Sequence, residues 1–240
     1  MDNNGTVIVT GASQGIGAAI VQVLLDRDYN VVANSRSISK SSVKPSANLA
    51  LVDGDIADIA TAGAVVKTAL SKFGSINHLV NNAGIYAAKP FTEYSADDLG
   101  RFVSTNIYGF VFVTQLAVKQ MLVQGVGGSV TTITAALADN PMVGAPSSIP
   151  MITKGGLNTV TRSLANEYAN RNIRFNAVAP GVVDTPMHED HPKGFLKTLA
   201  PMNTISEVQD IADAVAYLME ARQVTGEVLH VDGGAHIGRW

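Results

Sequence analysis

The chain has 240 residues, a formal net charge of −3 and no cysteine. That length suits one large α/β core and is short for two comfortable domains. Without cysteine there are no disulfides, no thiol catalysis and no cysteine-ligated metal; the mild acidity gives no electrostatic reason to bind nucleic acid or an anionic membrane. Charged residues make up 15% of the chain, against about 25% in an average globular protein. Surface hidden in a homo-oligomer is the expected reason. Met1-Asp2-Asn3-Asn4-Gly5 has no basic leader, and no apolar stretch reaches membrane-spanning length, so the expected setting is cytoplasmic.

Apolar runs predict strands over Thr6–Val9, Asn30–Asn34, Leu49–Val52, His78–Asn81, Ser129–Ile133, Ile173–Val178 and Glu227–Val231, with helix-length segments between them. The runs are continuous rather than alternating. That marks strands buried on both faces, as in a parallel sheet covered by helices. Between the first strand and a helix over Ala18–Leu25 lies Thr10-Gly11-Ala12-Ser13-Gln14-Gly15-Ile16-Gly17. Glycines there let the chain turn sharply, let backbone N–H groups approach a pyrophosphate, and let helix pack close to strand. The positive end of the helix then faces the phosphates. Pro180 to Ser206 is the one irregular region, with four prolines and two histidines. It is too long for an ordinary connection and is read as a substrate lid over about 181–206.

Further motifs follow in order. Asp55-Ile56 follows the third strand, Asn81-Asn82-Ala83-Gly84 ends the fourth, and Asn106 sits in Thr105-Asn106-Ile107-Tyr108-Gly109. Lys154 opens Lys154-Gly155-Gly156-Leu157, and Ile173 to Val178 leads into Ala179-Pro180-Gly181. Val224-Thr225-Gly226-Glu227 and Val231-Asp232-Gly233-Gly234 flank the last strand. With these, the chain resembles the short-chain dehydrogenase/reductase family over essentially its whole length. The resemblance implies a single doubly wound Rossmann-type domain over residues 1–240, with seven parallel strands and helices on both faces. It implies a nicotinamide dinucleotide across the carboxyl ends of the strands. Its expected contacts are Gly11, Ser13, Gln14, Gly15, Ile16, Gly17, Ser35, Arg36, Asp55, Ile56, Asn82, Ala83, Gly84, Lys154, Pro180, Gly181, Val183 and Thr185. It also implies a homotetramer, to which an exposed Trp240 beside the apolar C-terminal stretch would contribute a subunit contact.

An acid at the end of the second strand normally selects NAD by binding the ribose hydroxyls and repelling the extra phosphate of NADP. Here its place falls on Ser35, and Arg36 beside it has the guanidinium geometry that suits a phosphate. NADP is therefore expected over NAD, although Gln14 stands where many NADP-preferring relatives carry a basic residue.

In active members of that family, a tyrosine four residues before the lysine moves the proton and a serine orients the substrate oxygen. The residue four before Lys154 is Pro150, which suits the first turn of a helix beginning near Met151, and Ala135 stands where the serine belongs. Asn106 and Lys154 remain as the catalytic candidates. No tyrosine occurs between Tyr108 and Tyr168, and Tyr168 lies on a helix turn well away from Lys154. Thr134, Ser147, Ser148 and Thr153 are hydrogen-bonding hydroxyls rather than replacement acids. Tyr86 is read as a wall of the substrate pocket. His188 and His191 are read as surface histidines that a closing lid could bring inward, and His78, His230 and His236 as structural. Losing a positioned acid costs about 10²–10⁴-fold in rate.

Two functions fit. One is an NADP-dependent oxidoreductase that acts without the tyrosine on an imine, an iminium or an activated carbonyl. The other is a catalytically silent cofactor-binding or regulatory subunit. Val143, Ala145, Pro146, Ile149 and Met151, with Met187 and Phe195, suggest a largely apolar pocket for a small substrate. No metal site is expected.

Overall fold

The structure, a computed structural model, describes residues 4–142, 144–189 and 191–237. All seven expected strands are present: β1 (Thr6–Thr10), β2 (Asn30–Ser35), β3 (Leu49–Asp53), β4 (His78–Asn81), β5 (Gly128–Ile133), β6 (Ile173–Pro180) and β7 (Val228–Val231). They form one parallel sheet in the order β3-β2-β1-β4-β5-β6-β7. The helices are α1 (Gly15–Asp26), α2 (Ile59–Phe73), α3 (Ala96–Phe102), α4 (Gly109–Gln124), α5 (Ser148–Tyr168), α6 (Lys193–Lys197) and α7 (Val208–Glu220).

The continuous apolarity of the strands has its cause in two covered faces. In β1, Val7 and Val9 pack with Ile20 and Leu24 of α1 and Ile211 and Val215 of α7, while Ile8 between them packs with Val65 of α2 and Val113 of α4. The same alternation puts Val31 and Ala33 of β2 on the first face and Val32 on the second. Burying a side chain of this size is worth about 1.5–3 kcal/mol. α4 buries Phe110, Val113, Thr114, Ala117, Val118 and Met121 at helical spacing. Gly125 ends it in the left-handed conformation, at φ 70°, with its N–H on the Met121 carbonyl at 3.0 Å.

Strand order reverses between β1 and β4, so the loops leaving them diverge and open a crevice at the carboxyl edge of the sheet. That crevice positions the site. Over it lies the Pro180–Ser206 segment. It holds a 3-10 turn at Pro186–His188 and the short α6, closed by a bridge between Val183 and Ser206. Val183, Leu196 and Ala200 are buried. No helix among the described residues is long and apolar enough to cross a membrane. Trp240 and Val143 lie outside the described residues.

Candidate functional site

The glycine-rich loop is built by close approach. Gly11 and Gly15 have φ of +65° and +53°, and a Cβ on Gly17 would sit 2.2 Å from the Gly11 carbonyl oxygen. Asn82 braces the loop from the neighbouring strand end: its Nδ2 donates to the carbonyls of Thr10 and Gly11, both at 3.0 Å. The Thr10 hydroxyl oxygen accepts the N–H groups of Asn82 and Ala83 at 3.1 Å. Gln14 gives α1 no side-chain cap. The first N–H groups of α1 therefore face the crevice without an intrahelical acceptor, the arrangement that attracts anions.

Beyond the loop, Ser35 ends β2 in register with Asp53 of β3. Its hydroxyl oxygen is buried and has no hydrogen-bond partner among the described residues. Arg36 follows, exposed, and makes no ion pair among them. Asp53 accepts the Ser39 N–H at 2.9 Å and the Ser39 hydroxyl, and these bonds hold its carboxyl below the usual range. It thereby pins the loop that carries Arg36, a role the sequence reading missed. Asp55 accepts the Ala57 N–H at 3.0 Å, and Ile56 is buried where a Cβ on Gly109 would meet its Cγ2 at 3.0 Å.

At the other end, Lys154 projects from α5 with its Nζ donating to the Ile133 carbonyl at 2.8 Å. Burial alone lowers its pKa to about 8. A Cβ on Gly84 would stand 3.0 Å from that Nζ and 3.4 Å from Asn106 Oδ1, so glycine lets the three groups sit close together. Asn106 lies in a π-helical turn, Val103–Tyr108, of the kind that often marks functional sites. Its Nδ2 donates to the Thr153 hydroxyl at 2.9 Å, and Thr153 donates to the Pro150 carbonyl at 2.7 Å.

α5 starts at Ser148, not near Met151, so Pro150 is its third residue rather than its entry. A proline is accommodated there because that position's N–H has no helical acceptor in any case. Ala135 lies just past β5 in extended backbone. Thr134 is buried and donates to the Val178 carbonyl at 3.3 Å.

Gly11, Gln14, Gly15, Ile16, Gly17, Asn82, Ala83, Gly84, Lys154, Pro180, Gly181, Val183 and Thr185 share one cavity of about 610 Å³ with Ala135. Ser13, Ser35, Arg36, Asp55, Ile56, Asn106 and Pro150 are not on its wall. Of the expected apolar lining, Ala145, Met187 and Phe195 are present. Pro146, Ile149 and Met151 are not: the early start of α5 places the last two within its first turn, Ile149 buried and Met151 half-buried. Ile85, Leu137, Met142 and Leu199 take part instead. His188 and His191 are also wall residues, with ring centroids 6.2 Å apart. His191 is exposed, as expected, while His188 is half-buried. Burial, then the neighbouring His191, lowers the pKa of His188. The other histidines bond to protein: His78 with Ser129 at 2.8 Å, His230 with Asp139 at 2.8 Å, and His236 with Asp232 at 3.0 Å. No metal-binding cluster occurs among the described residues.

Residues 11–236 match the family profile described as enoyl-(acyl carrier protein) reductase. Carbonyl reductase family member 4 of Xenopus laevis is 33% identical over 232 residues, spanning 95% of this chain and 97% of that protein. The chain belongs to the short-chain dehydrogenase/reductase family. Among solved structures, 3-ketoacyl-(acyl-carrier-protein) reductase from Brucella melitensis complexed with NADH superposes with a TM-score of 0.90 at 27% identity, covering 98% of this chain and 99% of that one. A structure described as ElxO with NADP bound also gives 0.90, at 26% identity over 99% and 100% of the two chains. The family membership accounts for the strand order and for the crevice at the β1–β4 reversal.

Proposed function

We propose that this chain is an NADP(H)-dependent oxidoreductase that acts without the usual tyrosine acid, on a small and largely apolar imine, iminium or activated carbonyl. The observation that carries the reading is the joining, in one cavity, of the glycine loop with Lys154 and Ala135, while α5 offers Pro150 one turn before the lysine. The residues fit the cofactor. Ser35 leaves a buried hydroxyl oxygen without a partner among the described residues, and Arg36 leaves its guanidinium unpaired among them, both beyond the phosphate loop. The relative solved with NADP supports that choice, and Asp53, the one acid at this edge in register with Ser35, is engaged by Ser39.

In this reading Gly11, Ser13, Gln14, Gly15, Ile16 and Gly17 hold the pyrophosphate, and Ser35 and Arg36 hold the extra phosphate. Asp55 and Ile56 border the adenine, and Asn82, Ala83 and Gly84 lie along the ribose. Lys154 donates to ribose hydroxyls, while Pro180, Gly181, Val183 and Thr185 support the nicotinamide. When bound, the cofactor supplies a hydride. Ala135 and Pro150 occupy the places of the family's serine and tyrosine, so the substrate is one that asks little of a positioned acid. The 181–206 segment covers the cavity as a lid, and the working form is a homotetramer. A cofactor-binding protein without turnover is the second reading, favoured by Pro150 and Ala135 together.

Parallel titrations with NADPH and NADH test the cofactor assignment. NADPH binds more tightly, and Arg36→Asp weakens NADPH at least tenfold more than NADH, because it removes a phosphate partner and adds a repelling charge. Equal or tighter NADH binding by the unmodified protein contradicts it.

A further inference from the structure

Arg36 and Ser37 alone separate the end of β2 at Ser35 from a 3-10 turn at Ile38–Lys40. Both ends of that short span are fastened. We propose that Asp53, by holding Ser39, fixes the span in its phosphate-binding form and so sets the preference for NADP over NAD. Asp53 is a positioning residue that acts through Arg36, and the inference rests on the cofactor reading above.

On the β2 side, the Asn34 carbonyl accepts the Ala12 N–H of the glycine-rich loop at 3.0 Å, and the Ser35 carbonyl accepts the Gly54 N–H at 3.1 Å. The buried Asn34 amide donates to the Val52 and Gly54 carbonyls at 3.0 and 3.2 Å. On the far side, Ile38 is buried in the core cluster that holds Ile20 and Leu24 of α1. Val31, Ala33 and Leu49 belong to that cluster, and Leu51 packs against it. Strand alternation therefore puts Ser35 and Asp53, which are register partners, on this same α1-facing side of the sheet. There Asp53 meets the turn. One carboxylate oxygen accepts the Ser39 N–H at 2.9 Å, and the other accepts the Ser39 hydroxyl.

With both oxygens engaged by Ser39, Asp53 makes no ion pair with Arg36 among the described residues. The hydroxyl bond first, and the N–H bond second, hold its pKa below the usual range, so it is ionised and accepts both bonds at neutral pH. Arg36 is left exposed, next in the chain to the unpartnered hydroxyl oxygen of Ser35. A loop ordered before its ligand arrives loses less freedom on binding. That gain falls on the 2′-phosphate, which NADPH has and NADH lacks. Coulomb's law alone gives the opposite expectation. A carboxylate on this edge repels the 2′-phosphate, so its removal would tighten NADPH binding. Positioning and repulsion thus predict opposite changes in one variant.

Calorimetric titration of the whole protein with NADPH and with NADH separates the two. Asp53→Ala should raise the Kd for NADPH about tenfold and leave that for NADH within about twofold. Asp53→Asn should keep most of the NADPH affinity, because its amide can still accept the Ser39 N–H and donate to the Ser39 hydroxyl. In an Arg36→Ala background, Asp53→Ala should cost little more, since the group it positions is gone. Unchanged or tighter NADPH binding in Asp53→Ala, an equal loss for both cofactors, or full additivity with Arg36→Ala overturns the proposal alone. If Asp53→Ala does not fold, Ser39→Ala decides. It keeps the N–H bond, so it should weaken NADPH about threefold and NADH hardly at all; no loss confined to NADPH overturns the proposal. A wild type that does not prefer NADPH overturns the cofactor reading together with it.

Discussion

Asn106 clamps Ile85 through both atoms of its side-chain amide. Its Oδ1 accepts the Ile85 N–H at 2.9 Å, and its Nδ2 donates to the Ile85 carbonyl at 3.2 Å while also reaching Thr153. The asparagine is therefore largely occupied by protein. It joins the π turn before α4 to the chain leaving β4 and to the first turns of α5, the three segments that meet around Lys154.

Asn106→Ala should cost stability as well as activity. It strands the Ile85 N–H and the Asn106-facing side of Thr153, and an unsatisfied buried polar group costs about 1–3 kcal/mol. Thermal unfolding should begin at a clearly lower temperature, with NADPH affinity reduced through displaced Gly84 and Lys154. An unchanged melting temperature would contradict the clamp.

His78 gives the protein an acid-sensitive component. Burial, helped by the Arg174 charge, lowers its pKa from 6.5 to about 4. The fold keeps it neutral, whereas the unfolded chain protonates it near 6.5. Stability from this site is thus complete above that value and is lost as pH falls towards 4, by an amount of order 3 kcal/mol. Denaturant melts of the wild type and His78→Gln across this window check it. The variant should lose less stability on acidification, and identical acid slopes would refute the assignment.

Restoring the family's pair should change the substrate range. Ala135 sits in extended backbone that any residue adopts, and Pro150 is within the first turn of α5, so neither site demands its present residue. Ala135→Ser with Pro150→Tyr should gain reduction of simple ketones, measured as NADPH consumption. No gain in a folded, NADPH-binding double variant would count against the proposed alignment of these two positions.

The fold was legible because strands covered on both faces write uninterrupted apolar runs, and because Gly11, Gly15 and Gly17 meet demands that other residues cannot. All seven strands followed from this. Contacts made by chain that returns from a distance were not legible. Ser39 and Asp53 meet only because β2 and β3 run in register. His188 is half-buried on the cavity wall, in a segment that folds back where Val183 pairs with Ser206. Ile149 and Met151 leave the cavity wall because α5 starts at Ser148, a boundary that the proline obscured by reading as the helix entry.

The most direct test of the account is NADPH absorbance followed on mixing the purified protein with a cyclic imine, an activated diketone or a simple ketone. The account predicts steady NADPH oxidation with the imine or the diketone and little with the simple ketone. Saturable NADPH binding with no oxidation by any of the three would contradict it and leave a cofactor-binding protein without turnover.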